Sequence, residues 1–190
     1  MARSPRVQIA GVVYHVTSRG VDRQSIFDVV PHDRSVFLAQ LARTVRDYGW
    51  LCHGYCLMGN HFHLAVETPR ANIALGMQFL KGSYARFLND LKPRLGTLFE
   101  RRYHAVIVER EAHAYELLRY IVLNPVRSGF RPRPELWPWS SYRAAVGLAP
   151  KPTFLTLDWL HELYGDGDAG QARFRSYVEE ALSRSAVSGV

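Results

Sequence analysis

Lysine is nearly missing from this chain. Of its 24 basic residues only Lys81, Lys92 and Lys151 are lysines, and the other 21 are arginines. Positive charge therefore resides in planar guanidinium forks, which bind phosphate oxygens bidentately and stack on bases. A GC-rich genome that spells lysine positions as arginine accounts for the bias equally well. Cysteine is almost as scarce, with Cys52 and Cys56 alone. Spaced four apart on a stretch that reads as a strand, these thiols are expected reduced and buried, which argues against a disulfide-stapled secreted scaffold. There is no apolar N-terminal stretch long enough for a signal peptide or a membrane span, so a cytoplasmic location and no membrane partner are expected. No internal repeat or low-complexity tract is visible.

What the chain does have is an excess of basic over acidic residues, a net charge of +7, with ten tyrosines, nine phenylalanines and four tryptophans. Arginine with aromatics is the composition of a nucleic-acid partner. The length of 190 residues fits one compact domain with an appendage.

The hydrophobic pattern alternates between periods of two and of three to four. Residues 12–18 alternate and are β-branched, a first strand, followed by a loop to about His32. Asp33 is placed to cap a helix running to Tyr48, with Phe37, Leu41 and Val45 on its stripe and Gly49 as its stop. Residues 50–57 and 61–67 read as a hairpin turning at Met58-Gly59-Asn60. Asn72 opens a second helix carrying Ile73, Met77, Leu80, Tyr84, Phe87 and Leu91, which ends before Pro93. A fourth strand spans 104–109. A third helix runs from about Ala112 to Leu123, with Tyr115, Leu118, Ile121 and Val122 as its stripe, until Asn124-Pro125 ends it. The order predicts an α+β, ferredoxin-like (RRM-like) sandwich: a four-stranded antiparallel sheet with helices on one face, its other face free for a ligand, and extra C-terminal helices.

Within that frame His61 and His63 stand one residue apart in a strand, so both imidazoles project to the same face and can converge on one ion. One packed and one solvated histidine would give the same pattern. Glu116, Tyr120 and Asn124 follow at i, i+4 and i+8 on the third helix, which puts a tyrosine and an oxygen ligand on one face. An ordinary amphipathic helix with a solvated hydroxyl also fits that spacing.

The segments YHVTSRG, YCLMGNHFHLAVETP, LFERRYHAVIVE, RYIVLNPVRSGF and ELWPWSSYRAAVG occur in this order. Together they resemble the REP-associated tyrosine transposases of bacteria, in the single-tyrosine branch of the HUH nucleases, named for His, hydrophobic, His. The likeness spans about residues 8 to 147. Gly59 departs from it, since members often carry proline before the Asn-His.

The resemblance implies that His61, His63 and Asn124 hold a divalent metal, magnesium or manganese, and that Tyr120 is the nucleophile. The implied reaction is attack of Tyr120 on a phosphodiester of single-stranded DNA, leaving a 5′-phosphotyrosine and a free 3′-hydroxyl that can later rejoin strands. A free phenol, with a pKa of about 10, needs help to attack at neutral pH. Glu116 is a candidate helper by spacing alone. Tyr84, Tyr103 and Tyr142 are the other tyrosines weighed as nucleophiles, and none has an oxygen ligand one turn later. The implied DNA partner is single-stranded or a palindromic hairpin. Candidates for contacts with it are Arg19 and Arg23 in the first loop, Lys81 and Arg86 on the second helix, Arg101 and Arg102 before the fourth strand, and Arg127; Arg119 is a further phosphate candidate.

Domain boundaries are expected at 1–147 for the catalytic domain and 148–190 for an accessory helical tail, with 149–152 as linker, 165–170 as a flexible loop and a helix over about 171–182. A monomer cleaving in cis is favoured, with a homodimer exchanging tyrosine helices as the alternative. A non-catalytic single-stranded nucleic-acid binder or autoregulator on the same scaffold is the second function class, and a ribonuclease or zinc hydrolase a third that leaves Tyr120 without a purpose.

Overall fold

A computed structural model describes residues 8–108 and 110–187. The fold is built on four strands, β1 (Val12–Arg19), β2 (Leu51–Leu57), β3 (His61–Thr68) and β4 (His104–Val108). They form one antiparallel sheet in the order β2-β3-β1-β4. Helices α1 (Asp33–Tyr48) and α2 (Ile73–Leu91) cover one face. That layer is an aromatic cluster: Phe37 meets Phe62 of β3 at 4.8 Å between ring centres, Tyr84 of α2 at 5.1 Å and Phe27 at 5.2 Å. Tyr84 is wholly buried and donates its hydroxyl to the Ile26 carbonyl at 2.6 Å, which gives this buried polar atom a partner.

Several boundaries differ from the sequence pattern for local reasons. Asp33 is the first helical residue rather than the cap, and its Oδ2 accepts from the Val29 and Val30 amides at 2.7 and 3.2 Å. Asn72 does precede α2, but its side chain accepts from Trp50 Nε1 at 2.9 Å and donates to the Tyr48 carbonyl at 2.8 Å, clamping the end of α1 instead of capping α2. Helix α3 (Arg110–Arg127) runs through Pro125 rather than ending at it. Proline removes the amide that would bond the Ile121 carbonyl. Asn124 Nδ2 lies 2.8 Å from the Tyr120 carbonyl and 3.4 Å from that of Ile121, supplying the missing donor from a side chain. Glu109 and the Tyr115 side chain fall outside the described residues.

The second face of the sheet is not left wholly free. Gly54 of β2 carries no side chain, and a Cβ there would stand 3.1 Å from Leu118 Cδ2, so α3 settles closely across β2 and β3. The half of that face over β1 and β4 stays open. Beyond α3 come α4 (Tyr142–Ala145), α5 (Asp158–Tyr164) and α6 (Gly167–Val187). The segment 165–170 is therefore mostly the first turn of α6, not a loop, because Gly170 lets the helix approach the Gly165 carbonyl, where a Cβ would collide. The segment just after the expected linker 149–152 is ordered against the edge strand: Leu155 bridges Cys52, and the Thr156 amide donates to the Cys52 carbonyl at 2.8 Å. Covering an edge in this way removes a site of unwanted strand pairing. Cys52 and Cys56 are free thiols, buried as expected, and burial pushes Cys52 up to about 12.

The hairpin turn ahead of His61 is clamped from several sides. Gly59 O accepts from the Ile26 and Phe27 amides at 3.0 and 2.9 Å. Arg34, almost fully buried and paired with Asp28, donates to the Met58 carbonyl at 3.3 Å. Its guanidinium lies over the rings of Phe27, Trp137 and Trp139 at 5.3–5.5 Å. Such cation–π contacts gain strength from desolvation.

The glycines predict opposite mutational outcomes. A Cβ at Gly76 would lie 2.1 Å from Trp50, so Gly76→Ala should lower stability by about 1–3 kcal/mol through overpacking. A Cβ at Gly59 meets nothing within 4 Å, so Gly59→Ala should be neutral or raise stability by about 0.4–1 kcal/mol through the unfolded chain. Urea midpoints of the two variants against the parent check both.

Candidate active site

Strand register gathers the polar residues. On β3, His63 lies opposite Thr17 and His61 opposite Arg19 of β1, while Thr17 also faces His104 of β4 and His15 faces Val106. Side chains alternate along strands, so His15, Thr17, Arg19, His61, His63, His104 and Val106 share one face. It is the face that α3 crosses. Tyr120 arrives with its ring 5.5 Å from His63 and 5.7 Å from His15, both edge-on, and Asn124 lies one turn later. Together they line a cleft of about 500 Å³ with Ser18, Arg101 and Arg102.

Hydrogen bonds set the imidazoles. His61 Nδ1 is 2.7 Å from Asn60 Oδ1, and an amide oxygen only accepts, so His61 carries its proton on Nδ1 and keeps a lone pair on Nε2. His63 Nδ1 meets His15 Nε2 at 3.0 Å with the rings nearly parallel. His63 Nε2 is buried with no hydrogen-bond partner among the described residues. A buried polar atom left unmatched on a prepared ring is what a metal ligand looks like without its ion. The Asn124 amide nitrogen is spent on backbone carbonyls, which leaves its oxygen as the free end. Two neutral imidazoles and an amide oxygen thus fit a divalent cation with open positions. Among the described residues no three of His, Cys, Asp and Glu form a metal cage, so the asparagine is the side chain placed to add a third protein ligand to the two histidines.

Burial holds His15 and His61 down to about 4 and His63 to about 3, and repulsion between protonated neighbours acts the same way, from His104 on His15, from Arg19 on His61, and from His61, His15 and Arg19 on His63. At neutral pH all three are uncharged and able to donate lone pairs.

The sequence candidates divide. Arg19, Arg101 and Arg102 line the cleft with the histidines, and the Arg127 guanidinium lies 5.3 Å over the Tyr120 ring. Lys81 instead donates to the Arg101 carbonyl at 2.7 Å and sits over Phe99, bracing the loop that carries Arg101. Arg86 is exposed on α2, the helix on the opposite face of the sheet, and Arg23 is exposed in the turn after β1 without lining the cleft. Arg119 lies over the Tyr177 ring of α6 at 4.1 Å, a packing role. Among the competing tyrosines, Tyr84, Tyr103 and Tyr142 are all buried, whereas Tyr120 is 38% exposed. Tyr103 is therefore not free to stack on a base. His15 and His104 were not singled out from the sequence. The alternation of β1 carried a signal for His15, but only the pairing with β3 brings it to His63.

Comparison with known proteins follows this geometry. The model of the IS200-like transposases matches residues 8–124, most of the chain and all of the cleft's residues. The chain belongs to the IS200-like transposase family. It is 26% identical over 121 residues to a Haemophilus influenzae protein described as a REP-associated tyrosine transposase, covering 58% of this chain and 69% of that one. Its fold is similar to that of a REP-associated tyrosine transposase solved bound to a REP hairpin, with a TM-score of 0.66 at 18% identity, over 79% of this chain and 89% of the other. No described helix of this transposase-family chain is long and apolar enough to cross a membrane.

The depressed imidazoles make a stability prediction. Unfolded histidines bind a proton below a pH of about 6.5, whereas the folded ones resist until about 4 or below. Between these values the unfolded chain holds more protons, so stability is full above pH ~6.5 and falls as pH drops toward 4. Urea midpoints measured between pH 7.5 and 4.5 should decline in that window, and a flat profile would contradict a neutral cluster.

Proposed function

We propose that this protein is a transposase-type endonuclease and strand transferase for single-stranded DNA, acting at palindromic hairpins of the REP kind through a 5′-phosphotyrosine. The observation that carries the reading is the ring contact of Tyr120 with His63, a solvent-accessible phenol beside an imidazole that has an unmatched buried nitrogen. A non-catalytic binder has no need of that pairing.

In the proposed reaction the Tyr120 oxygen forms a bond to phosphorus while the bond to the 3′ oxygen breaks. The phenolic proton is released, the departing 3′ oxygen takes one up, and the bond energy is kept for rejoining. Arg19, Arg101 and Arg102 hold the negatively charged strand along the cleft, and Arg127 braces the Tyr120 ring. His61 Nε2, His63 Nε2 and Asn124 Oδ1 would hold magnesium or manganese, which supplies Lewis-acid polarisation of the phosphate when bound. Asn60 fixes the tautomer of His61 from behind, and His15 meets Nδ1 of His63, orienting that ring with Nε2 toward the cleft. Residues 1–147 form the catalytic domain in this reading, and 148–190 support it.

The direct test is incubation with manganese and a labelled hairpin from the DNA flanking the protein's own gene, followed by a denaturing gel. A covalent protein–DNA adduct that vanishes in Tyr120→Phe is expected; binding without adduct across several such hairpins would favour the binding-module reading. His15→Leu should weaken manganese binding, followed calorimetrically, by about 10–100-fold with thermal stability monitored alongside. Because His63 and Tyr120 of one chain meet, cleavage is proposed to occur in cis in a monomer. Mixing Tyr120→Phe with His61→Ala should then restore nothing, and recovered adduct would require a helix-exchanged dimer.

A further inference from the structure

Tyr120 stands between two clefts of opposite character. The polar one holds the histidines and arginines. The other is a groove of about 520 Å³ between β4 and the first half of α3, walled by Val106, Val108 and Leu117 with His113 and Glu116 beside them. His15, Val106 and Tyr120 belong to both clefts. Val106 is 48% exposed, an aliphatic side chain left open next to phosphate-binding guanidiniums.

A nucleotide has the same division, with a charged phosphodiester joined through a sugar to a flat base that prefers apolar and aromatic surface. A strand whose phosphate sits by Tyr120 in the polar cleft therefore has a neighbouring base within reach of the groove. Glu116 narrows the choice of base. A carboxylate beside an anionic strand is repelled unless it accepts a hydrogen bond, and the base donors suited to it are exocyclic amino groups, which adenine, cytosine and guanine carry and thymine lacks. Glu116 is exposed on α3 one turn before Tyr120, and so faces what Tyr120 faces.

We infer that the groove between β4 and α3 is a nucleobase subsite, which takes the unpaired base next to the phosphate attacked by Tyr120 and selects an amino-bearing base, adenine, cytosine or guanine, over thymine through Glu116. The inference rests on the nuclease reading for its position along the strand, but base contact is measurable without cleavage.

An abasic residue is walked along the single-stranded flank of a hairpin oligonucleotide from the DNA beside the gene, and binding to Tyr120→Phe protein is titrated. One position should stand out, with affinity at least about fivefold weaker when its base is missing. At that position adenine, cytosine and guanine should bind better than thymine. Glu116→Ala, introduced beside Tyr120→Phe, should erase the preference while binding the abasic oligonucleotide at least as tightly as the protein with Glu116 intact, a result that mere structural damage would not give. A flat abasic scan, or a preference that survives Glu116→Ala, overturns the subsite. Loss of the covalent adduct in the parent protein with the base preference intact would overturn the nuclease reading and leave the subsite standing.

Discussion

The approach of α3 to the β2–β3 half of the sheet is the constraint on which the site depends. Neither His63 nor Tyr120 is a site alone; their rings meet because Gly54 lets Leu118 down onto the strand and because Pro125 does not break the helix. Asn124 serves both ends of this arrangement. Its nitrogen replaces the amide that Pro125 lacks, and the same bond turns its oxygen away from the backbone as a donor for an ion. A residue that repairs the helix thus sets the geometry of the proposed ligand.

Rigidity is supplied from the opposite side. The turn before His61 is bound by backbone amides of the preceding loop and by a buried arginine sandwiched among Phe27, Trp137 and Trp139. Trp137 Nε1 also donates to the Leu57 carbonyl at 3.1 Å, and the Leu57 amide to the Trp139 carbonyl at 2.8 Å. The segment after α3 is therefore part of the scaffold of the histidine strand. The C-terminal helices continue this support, with Trp159 against His53 and Phe174 against Tyr142. Precision at a catalytic centre depends on such supporting contacts as much as on the reacting groups.

Neutral histidines follow from the same packing. Burial beneath α3 and between strands removes water that would stabilise the charged form, and nearby positive groups act in the same direction. The cleft then offers uncharged imidazole nitrogens and charged arginines side by side, the combination that the proposed metal-assisted attack on a phosphodiester calls for. An acidic cage would bind the ion more simply but would repel the strand.

Local pattern was enough for the elements, because the periods of two and of three to four are imposed by backbone geometry within a few residues. It placed β3 with its two histidines, α2 with its buried Tyr84, and the i, i+4 relation of Tyr120 and Asn124. It misjudged the end of α3, since the donor that rescues Pro125 is a side chain, and it read 165–170 as a loop, since that helical turn depends on a close contact with Gly165. The partnership of His15 with His63, the burial of Tyr103 and the separation of Arg86 from the cleft lay beyond it. Those depend on strand register and on which face each helix covers. Sequence by itself determined which residues could do chemistry and their spacing along each element, whereas only the tertiary structure decided which of them meet, because contacts across the sheet join residues that no local interaction relates.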